Sequence, residues 1–312
     1  MPRGKLPELA ITAETAGKRI KPSIAGRLRR LQLTPGWVML YMLMIALMAF
    51  TALPLVYVIS TAFKPIDELF IFPPRYFVRR PTLINFSDLM LSLNSSVVPF
   101  TRYVFNSLIV TVSIVACTVT VSSLGAYGVV KHHPPGSKAL FAIVIAMLMF
   151  SPHVTQIPRY IVINGMGLIN TYWALILPNI AVAYNFFLIK QFLEQFPNEL
   201  LESSRIDGAN EWTVFWKIVM PSLTPAWSTL VVFSFVSSWN DYFSPLIFTT
   251  SQTMKTLPLA LQTIAGGPAT MSIGRAGAVA AATFLMIIPT VLIFFIMQKK
   301  VIETMTHSGI KG

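Results

Sequence analysis

The chain has 312 residues, of which 54% are hydrophobic and only 12% are charged, about half the ~25% of charged residues usual in a soluble domain. This composition excludes a soluble globular protein, a disordered chain and a fibre. The net charge of +12 would suit a nucleic-acid ligand in a soluble protein, but basic residues that flank membrane spans explain it better, so we expect membrane lipid and no nucleic acid as a partner.

The N-terminal segment, residues 1–36, is basic and carries eight lysines and arginines. We interpret it as a cytoplasmic anchor, either a simple basic segment or a short interfacial helix. The apolar stretch that follows is not expected to be a cleaved signal peptide, because it is far longer than an h-region of ~7–15 residues and follows a long basic region.

Six stretches of the chain contain no Asp, Glu, Lys or Arg and are long enough to cross a bilayer, which takes ~20 mostly apolar residues. A bilayer offers no partners to free backbone groups, so each stretch should be helical. The sequence therefore predicts an all-α membrane protein with six transmembrane helices, within residues 31–63, 103–130, 139–158, 160–189, 218–240 and 276–298.

Lysines and arginines flank these stretches unequally. With the N-terminus inside, 16 of them lie on the cytoplasmic side and 8 on the other side. Because cytoplasmic flanks are enriched in basic residues, this bias predicts a multi-pass protein of the plasma membrane with both termini in the cytoplasm.

The loop between the fourth and fifth predicted spans is long, polar and acidic. Asn198 and Asn210 suit the N-caps of two short helices, and Gly208 suits the left-handed turn between them. Such a loop could lie on lipid headgroups, but Glu199, Glu202, Asp207 and Glu211 would face an anionic leaflet that attracts bases. The pattern favours a docking element for a soluble partner.

Polar residues within the fourth and fifth spans are candidates for a transport pathway, because polar groups in a membrane interior are usually functional. An aromatic ring beside amide and carboxylate groups suits a sugar, whereas Trp and Tyr at a span end also serve as interfacial anchors and an aspartate there can act as a cap. Both interpretations stay open for Tyr184, Asn185, Ser237, Trp239, Asn240 and Asp241.

The acidic loop resembles the EAA loop of carbohydrate ABC-importer permeases, and in particular of the maltose-permease G-like branch. Glu202-Ser203-Ser204 is followed after three residues by Gly208, after nine more by Ile218, and then by Met220-Pro221. Two serines replace the alanine pair of that pattern and methionine replaces leucine. Further similarities are Asn106-Ser107-Leu108, residues 239–246 and the C-terminal Gly-Ile-Lys-Gly.

The resemblance implies a permease subunit of an ATP-driven sugar importer that forms half of the translocation pathway and is not itself an enzyme. It implies an F-like permease partner, two ATPase subunits that bind ATP and Mg²⁺, an extracellular solute-binding protein and a sugar or oligosaccharide substrate, with no cofactor or metal on this chain. The chain contains no P-loop motif of its own. The alternative is an ion-coupled secondary carrier or another polytopic transporter, although ion coupling would require more buried carboxylates than Asp241.

By the same resemblance the chain comprises the N-terminal segment, a transmembrane domain over residues 37–300 and a cytoplasmic tail over residues 301–312. Residues 197–221 of that domain would form the EAA loop, with a cytoplasmic coupling helix between helices 4 and 5. The residues that would couple it to the ATPase are Glu199, Glu202, Ser203, Ser204, Asp207, Gly208, Ala209, Ile218 and Pro221.

Overall fold

The computed structural model describes residues 35–94, 98–151, 154–266 and 276–309. Most of the basic N-terminal segment, residues 1–34, and the last three residues of the tail lie outside the described residues. The described part of the chain is helical and contains no β-strand.

The described residues between 35 and 194 form eight helices. Two long ones are separated by two shorter ones, and four helices of intermediate length follow. They are α1 (Pro35–Ala62), α2 (Ile66–Leu69), α3 (Ile84–Asn94), α4 (Phe100–His132), α5 (Ser137–Leu148), α6 (Gln156–Gly165), α7 (Tyr172–Ile180) and α8 (Ala183–Glu194).

The second half contains the acidic loop and two further long helices. The helices are α9 (Glu199–Ile206), α10 (Glu211–Val214), a π-helical turn (Phe215–Val219), α11 (Met220–Ser222), α12 (Thr224–Trp239), α13 (Phe243–Phe248), a 3₁₀ turn (Gln252–Met254), α14 (Leu257–Gly266) and α15 (Ala276–Gly309).

Three single helices are long and apolar enough to cross a membrane, namely α1, α4 and the part of α15 up to Ile302. Two bent pairs raise the number to five if each pair is one span: α7 with α8, bent by 42°, and the Glu211–Ser222 segment with α12, bent by 76°. These numbers refer to the described residues. The three single helices coincide with the predicted first, second and sixth spans.

The predicted third and fourth spans are not continuous helices. The stretch 139–158 contains α5, which has 12 residues, and the start of α6. The stretch 160–189 contains the end of α6, a turn with left-handed Gly167 and Asn170, and the break between α7 and α8. A stretch without charges can enter lipid, but it does not have to be one helix.

The chain divides into two compact units, residues 1–54 and 55–312, and all contacts described below lie within the second. In this unit α4 and α12 pack against each other, α12 packs on α15, and α4 packs on α7 and α8. Small residues line these contacts: Ala278, Ala280, Ala281 and Ala282 of α15 are buried, and so are Thr111, Thr118, Ser122 and Ser123 of α4.

Asn106 and Ser107, which belong to a family-like motif, hold the segment before α14 against α4. Asn106 is fully buried; its Nδ2 donates to the carbonyls of Thr253 and Lys255, both at 2.8 Å, and its Oδ1 accepts from Tyr172 at 2.7 Å. Ser107 Oγ accepts from the Leu257 N–H at 2.8 Å. This network fixes the connection between α12 and α14 on one end of the helical bundle.

Candidate functional site

The acidic loop begins with α9, which lies on the bundle through one buried residue. Leu201 is 2% exposed and packs in a cluster with Leu193 of α8 and Val214 of α10. Glu199 and Glu202 are exposed in the first turn of α9, where negative charge is favourable to the helix dipole. The helix thus presents acidic groups outward while one leucine anchors it.

Asn198 precedes α9 but does not cap it with its side chain. Its Oδ1 accepts instead from Lys131 Nζ at 2.8 Å, and the same ammonium donates to the Phe196 carbonyl at 2.9 Å. A charged donor makes a stronger hydrogen bond than a backbone N–H, which explains the difference from the predicted cap. The result is a link between the end of α4 and the start of the loop.

Ser203 and Ser204, at the positions of the alanine pair, turn their hydroxyls back onto their own helix. Both donate to the Leu200 carbonyl, Ser203 at 3.2 Å and Ser204 at 2.5 Å. The hydroxyls are therefore satisfied within the helix, and the two side chains stay small. Ser203 is exposed and Ser204 is half-buried.

The turn after α9 is a Schellman motif centred on Gly208. Gly208 has φ +84°, its N–H donates to the Arg205 carbonyl at 3.1 Å, and the Ala209 N–H donates to the Ser204 carbonyl at 3.0 Å. This pattern satisfies the last carbonyls of the helix and needs a left-handed residue. The prediction that Gly208 forms the turn is confirmed.

The second loop helix begins with the predicted cap, since Asn210 Oδ1 accepts from the Thr213 N–H at 2.8 Å. The next residue, Glu211, joins three elements. Its Oε2 accepts from Tyr127 of α4 at 2.8 Å, and its Oε1 accepts from Arg205 Nε of α9 at 2.9 Å. His132 Nε2 lies 3.5 Å from Oε2. The sequence marked Glu211 only as one of four acidic residues, and it missed Tyr127 and Arg205.

The loop lies before the 76° bend, so Glu211 and Arg205 are outside the span formed by α12. Hydrogen bonds from Tyr127 and Arg205 hold the pKa of the Glu211 carboxyl below its usual range, and the bond to Glu211 raises the pKa of Arg205. The pair is charged at neutral pH, and its stabilising effect is lost only when the pH falls through the lowered pKa of Glu211. Both side chains are about half exposed, which keeps that effect small.

The aromatic residues at the second loop helix are divided between the core and the surface. Phe215 is buried against Tyr127, with ring centroids 5.5 Å apart, whereas Trp212 and Trp216 are largely exposed. The π-helical turn that begins at Phe215 changes the helical register here. With Ile206, which is 86% exposed, the two tryptophans add large apolar groups to the outer surface of the acidic loop.

The other predicted coupling residues lie along the same loop. Ala209 and Ile218 are half-buried, while Asp207 and Pro221 are exposed. The helix α12 starts at Thr224, and Pro225 stands in its first turn, where the missing N–H of proline is tolerated.

Four of the six predicted pathway residues line one cleft of about 210 Å³ between α7, α8 and α12. Asn185 is 6% exposed, and its Nδ2 lies 3.5 Å from Ser234 Oγ; Tyr184 forms an edge-to-face pair with Phe233. We call this space the polar cleft; it is lined by Ile114, Asn179, Val182, Tyr184, Asn185, Phe233, Ser234, Ser237, Ser238 and Asp241. The sequence did not single out Asn179 or Phe233.

Trp239 and Asn240 lie elsewhere. Trp239 is 2% exposed; its Nε1 donates to the Met286 carbonyl at 3.1 Å and its ring stacks on Phe235. Asn240 donates to the Val236 carbonyl of its own helix and borders a different groove. Trp239 thus packs between α12 and α15, and it is neither part of the polar cleft nor the exposed interfacial anchor that the sequence offered as the alternative.

Asp241 combines a helix cap with a position at the border of the polar cleft. Its Oδ1 accepts from the N–H groups of Phe243, at 2.9 Å, and Ser244, at 3.0 Å, so it caps α13. It also borders the polar cleft. Among the described residues, no group of three or more His, Cys, Asp or Glu side chains is arranged to hold a metal ion.

Comparison with known proteins places the chain in a family. Residues 119–306 match the family described as binding-protein-dependent transport system inner membrane component. The chain is 32% identical over 277 residues to the probable ABC transporter permease protein y4oR of Sinorhizobium fredii, covering 88% of this chain and 95% of that protein. It is 28% identical over 274 residues to the arabinooligosaccharides transport system permease protein AraQ of Halalkalibacterium halodurans, covering 86% and 94%.

A solved structure shows the same fold. A chain in the crystal structure of a bacterial ABC transporter involved in the import of the acidic polysaccharide alginate superposes with a TM-score of 0.73, at 19% identity, over 89% of this chain and 98% of that one. The region that matches the family, residues 119–306, includes the acidic loop, α12 and most of α15. The chain therefore belongs to the binding-protein-dependent transport system inner membrane component family, and it is a multi-pass permease subunit of an ABC transporter rather than an enzyme.

Proposed function

We propose that this chain is one of two permease subunits of an ATP-driven sugar importer and that residues 197–221 couple it to a separate ATPase. The observation that supports the coupling role is the construction of the loop. It is a two-helix element that hydrogen bonds of Glu211 and Lys131 join to the end of α4, while its other side leaves carboxylates and tryptophans exposed.

The charge of the exposed side fits a protein partner. Glu202 and Asp207 are exposed, and neither forms an ion pair with any described residue. Acidic groups beside large apolar groups suit a groove that combines basic and hydrophobic residues. We infer that Leu200, Ile206, Trp212 and Trp216 enter such a groove on the ATPase.

ATP drives transport through this contact. The two ATPase subunits bind ATP and Mg²⁺, and nucleotide favours the closed arrangement of the pair because it binds that arrangement better. Movement of the docked loop is then passed through Tyr127, Lys131 and Leu201 to α4 and α8, which move as packed helices. The chain itself binds no cofactor.

The membrane arrangement that goes with this function has six spans and both termini in the cytoplasm. The 76° bend before α12 then lets the loop lie along the membrane surface while α12 crosses it. In this arrangement α5 and α6 together supply the third span, and the F-like partner completes its surroundings. An extracellular solute-binding protein delivers substrate on the side of the membrane where Asn106 lies.

A sugar or oligosaccharide is the substrate we propose. AraQ is a transport protein for arabinooligosaccharides, and the polar cleft has the groups that recognise a sugar: two amides, three serine hydroxyls, a tyrosine and a carboxylate. The ion-coupled alternative has little to support it, since Asp241 is the one carboxylate among the described residues of the cleft.

Charge reversal at Glu202 tests the coupling role. The importer complex, with its partner permease, ATPase and binding protein, is reconstituted in proteoliposomes with Glu202→Lys. We expect loss of ATPase stimulation by the loaded binding protein and a fall in uptake of at least about tenfold, as expected when a central charge contact becomes repulsive.

Asp88→Lys is the matched control, because it makes the same charge change on α3, away from the loop. It should leave stimulation and uptake close to the unaltered complex. Normal stimulation in Glu202→Lys, with the complex fully assembled, would reject the coupling role of the loop.

A further inference from the structure

The polar cleft carries a charge that bears on which sugars can enter it. Of the described residues that line it, Asp241 alone carries a carboxyl group, and no lysine, arginine or histidine is among them. The remaining polar groups are neutral amides and hydroxyls, namely Asn179, Asn185, Ser234, Ser237 and Ser238.

Two of these polar side chains are buried but do not pair closely with each other. Asn185 and Ser234 are buried, and the 3.5 Å that separates their polar atoms leaves a weak hydrogen bond. Polar side chains buried inside a membrane protein are costly and are usually retained for function. A volume of about 210 Å³ holds roughly seven waters, or a ligand the size of a sugar ring.

Asp241 is fixed at the border of the cleft. Two backbone N–H groups, of Phe243 and Ser244, bind its Oδ1, which holds the carboxylate in one place, and none of the described residues donates to Oδ2. A fixed negative charge beside low-dielectric helices repels another anion far more strongly than it would in water.

We propose that the polar cleft is a subsite for neutral saccharides and that Asp241 excludes acidic saccharides, such as uronic-acid oligomers, from it. A neutral sugar hydroxyl donates to the free carboxylate oxygen and to the amide oxygens, whereas a uronate carboxylate meets the like charge of Asp241 with no cation to offset it. This inference rests on the proposed role of the chain in sugar transport.

The test measures the local charge by thiol chemistry. In the assembled complex, the native Cys117 is replaced by alanine and Ser237→Cys is introduced, since Ser237 is exposed within the cleft. Modification rates are measured with a cationic and with an anionic methanethiosulfonate of similar size. Each rate is divided by the rate at which the same reagent modifies a small free thiol, so that the intrinsic reactivity of the reagent cancels. We expect a preference of about tenfold for the cationic reagent at low ionic strength.

Asp241→Asn is the decisive variant, because the amide keeps the Oδ1 acceptor that caps α13 and removes the charge. It should bring the two normalised rates to within about twofold of each other. An equal or faster reaction of the anionic reagent in the Asp241 protein, or a preference that survives Asp241→Asn, would overturn the proposal.

Protection of the same cysteine tests occupancy. A mixture of neutral di- and trisaccharides should slow its modification, and oligogalacturonate at the same concentration should not. Protection by oligogalacturonate, or no protection by the neutral mixture, would overturn the subsite. Labelling needs no ATP, so a failure of the coupling role would appear only in the Glu202→Lys experiment and not here.

Discussion

Glu211 is the residue at which the loop and the helical bundle meet. One carboxylate binds a hydroxyl from α4 and a guanidinium from α9, so that α4, α9 and α10 share a single side chain. Each bond on its own contributes little at a half-exposed position. Their value lies in geometry, because together they fix the direction of α9 and α10 relative to α4.

Removal of the Tyr127 hydroxyl should loosen this junction. In Tyr127→Phe the ring contact with Phe215 remains and the hydrogen bond to Glu211 is lost, which should cost about 1 kcal/mol. We expect basal ATP hydrolysis by the complex to persist and uptake per ATP hydrolysed to fall, since the loop would move with less effect on α4.

Tyr160→Phe is the control, because its ring stacks on Phe248 far from the loop. The ratio of uptake to hydrolysis, measured in proteoliposomes, checks the prediction. An unchanged ratio in Tyr127→Phe would mean that the bond to Glu211 has no part in transmission.

Gly208 should be sensitive to any side chain. A Cβ at this position meets no atom within 4 Å, so the cost of Gly208→Ala comes from the left-handed backbone, at φ +84°, and not from a clash. We expect the turn to lose about 1 kcal/mol and trypsin to cleave after Arg205 about fivefold faster, because proteolysis follows the population of the open form.

Gly165→Ala provides a matched control. Gly165 ends α6, also has open space where the methyl group of an alanine would lie, and is not left-handed. Alanine there should leave cleavage after Arg205 unchanged. If mass spectrometry of the digests showed equal rates in the two variants, the left-handed turn would not be what protects Arg205.

At the scale of elements, the sequence predicts α1, α4 and α15 well because a long apolar stretch without interruption has one solution in lipid. It predicts the second helix of the loop and the turn before it well, because the cap at Asn210 and the left-handed Gly208 act locally, whereas Asn198 is drawn from its predicted cap by Lys131 of α4. It fails for α5 to α8. Pro178 removes a helical hydrogen bond shortly before the chain breaks at Ala181, and packing on α4 decides how the two halves bend.

For the polar cleft, too, the sequence predicts some features and misses others. Membrane depth alone pointed to Tyr184, Asn185, Ser237 and Asp241, and these do come together. It could not separate them from Trp239, because adjacent residues on a helix face different neighbours and the partner of Trp239 is Met286, some 50 positions away in the chain. Side-chain direction at a span end needs the tertiary structure.

The junction of α3 and α15 is held by a close approach that only glycine allows. A Cβ on Gly277 would overlap Asn85 Oδ1, and Asn85 donates to the carbonyls of Ala62 and Lys64 at 2.9 and 2.7 Å. Gly277→Ala should displace this buried amide and cost about 2 kcal/mol, which would lower the melting temperature of the purified complex.

Two further variants distinguish the specific clash with Asn85 from a general effect of replacing a helical glycine by alanine. Gly128→Ala on α4 has open space and should change the melting temperature little. In an Asn85→Ala background the clash is gone, so Gly277→Ala should then cost much less than it does alone. Additive losses in the double variant would contradict the contact between Gly277 and Asn85.

The orientation of the whole molecule follows from the distribution of charge, with 16 lysines and arginines on one side and 8 on the other. We expect the turn before α5 to be cytoplasmic and the turn before α14 to be external. In a Cys117→Ala background, Pro135→Cys and Gln252→Cys place single thiols at these two exposed positions without changing any charge. An impermeant maleimide added to protoplasts should label Gln252→Cys at once and Pro135→Cys only after the membrane is permeabilised. The reverse order would put the acidic loop outside the cell, where no ATP-hydrolysing partner could reach it, and would refute the coupling role together with the orientation.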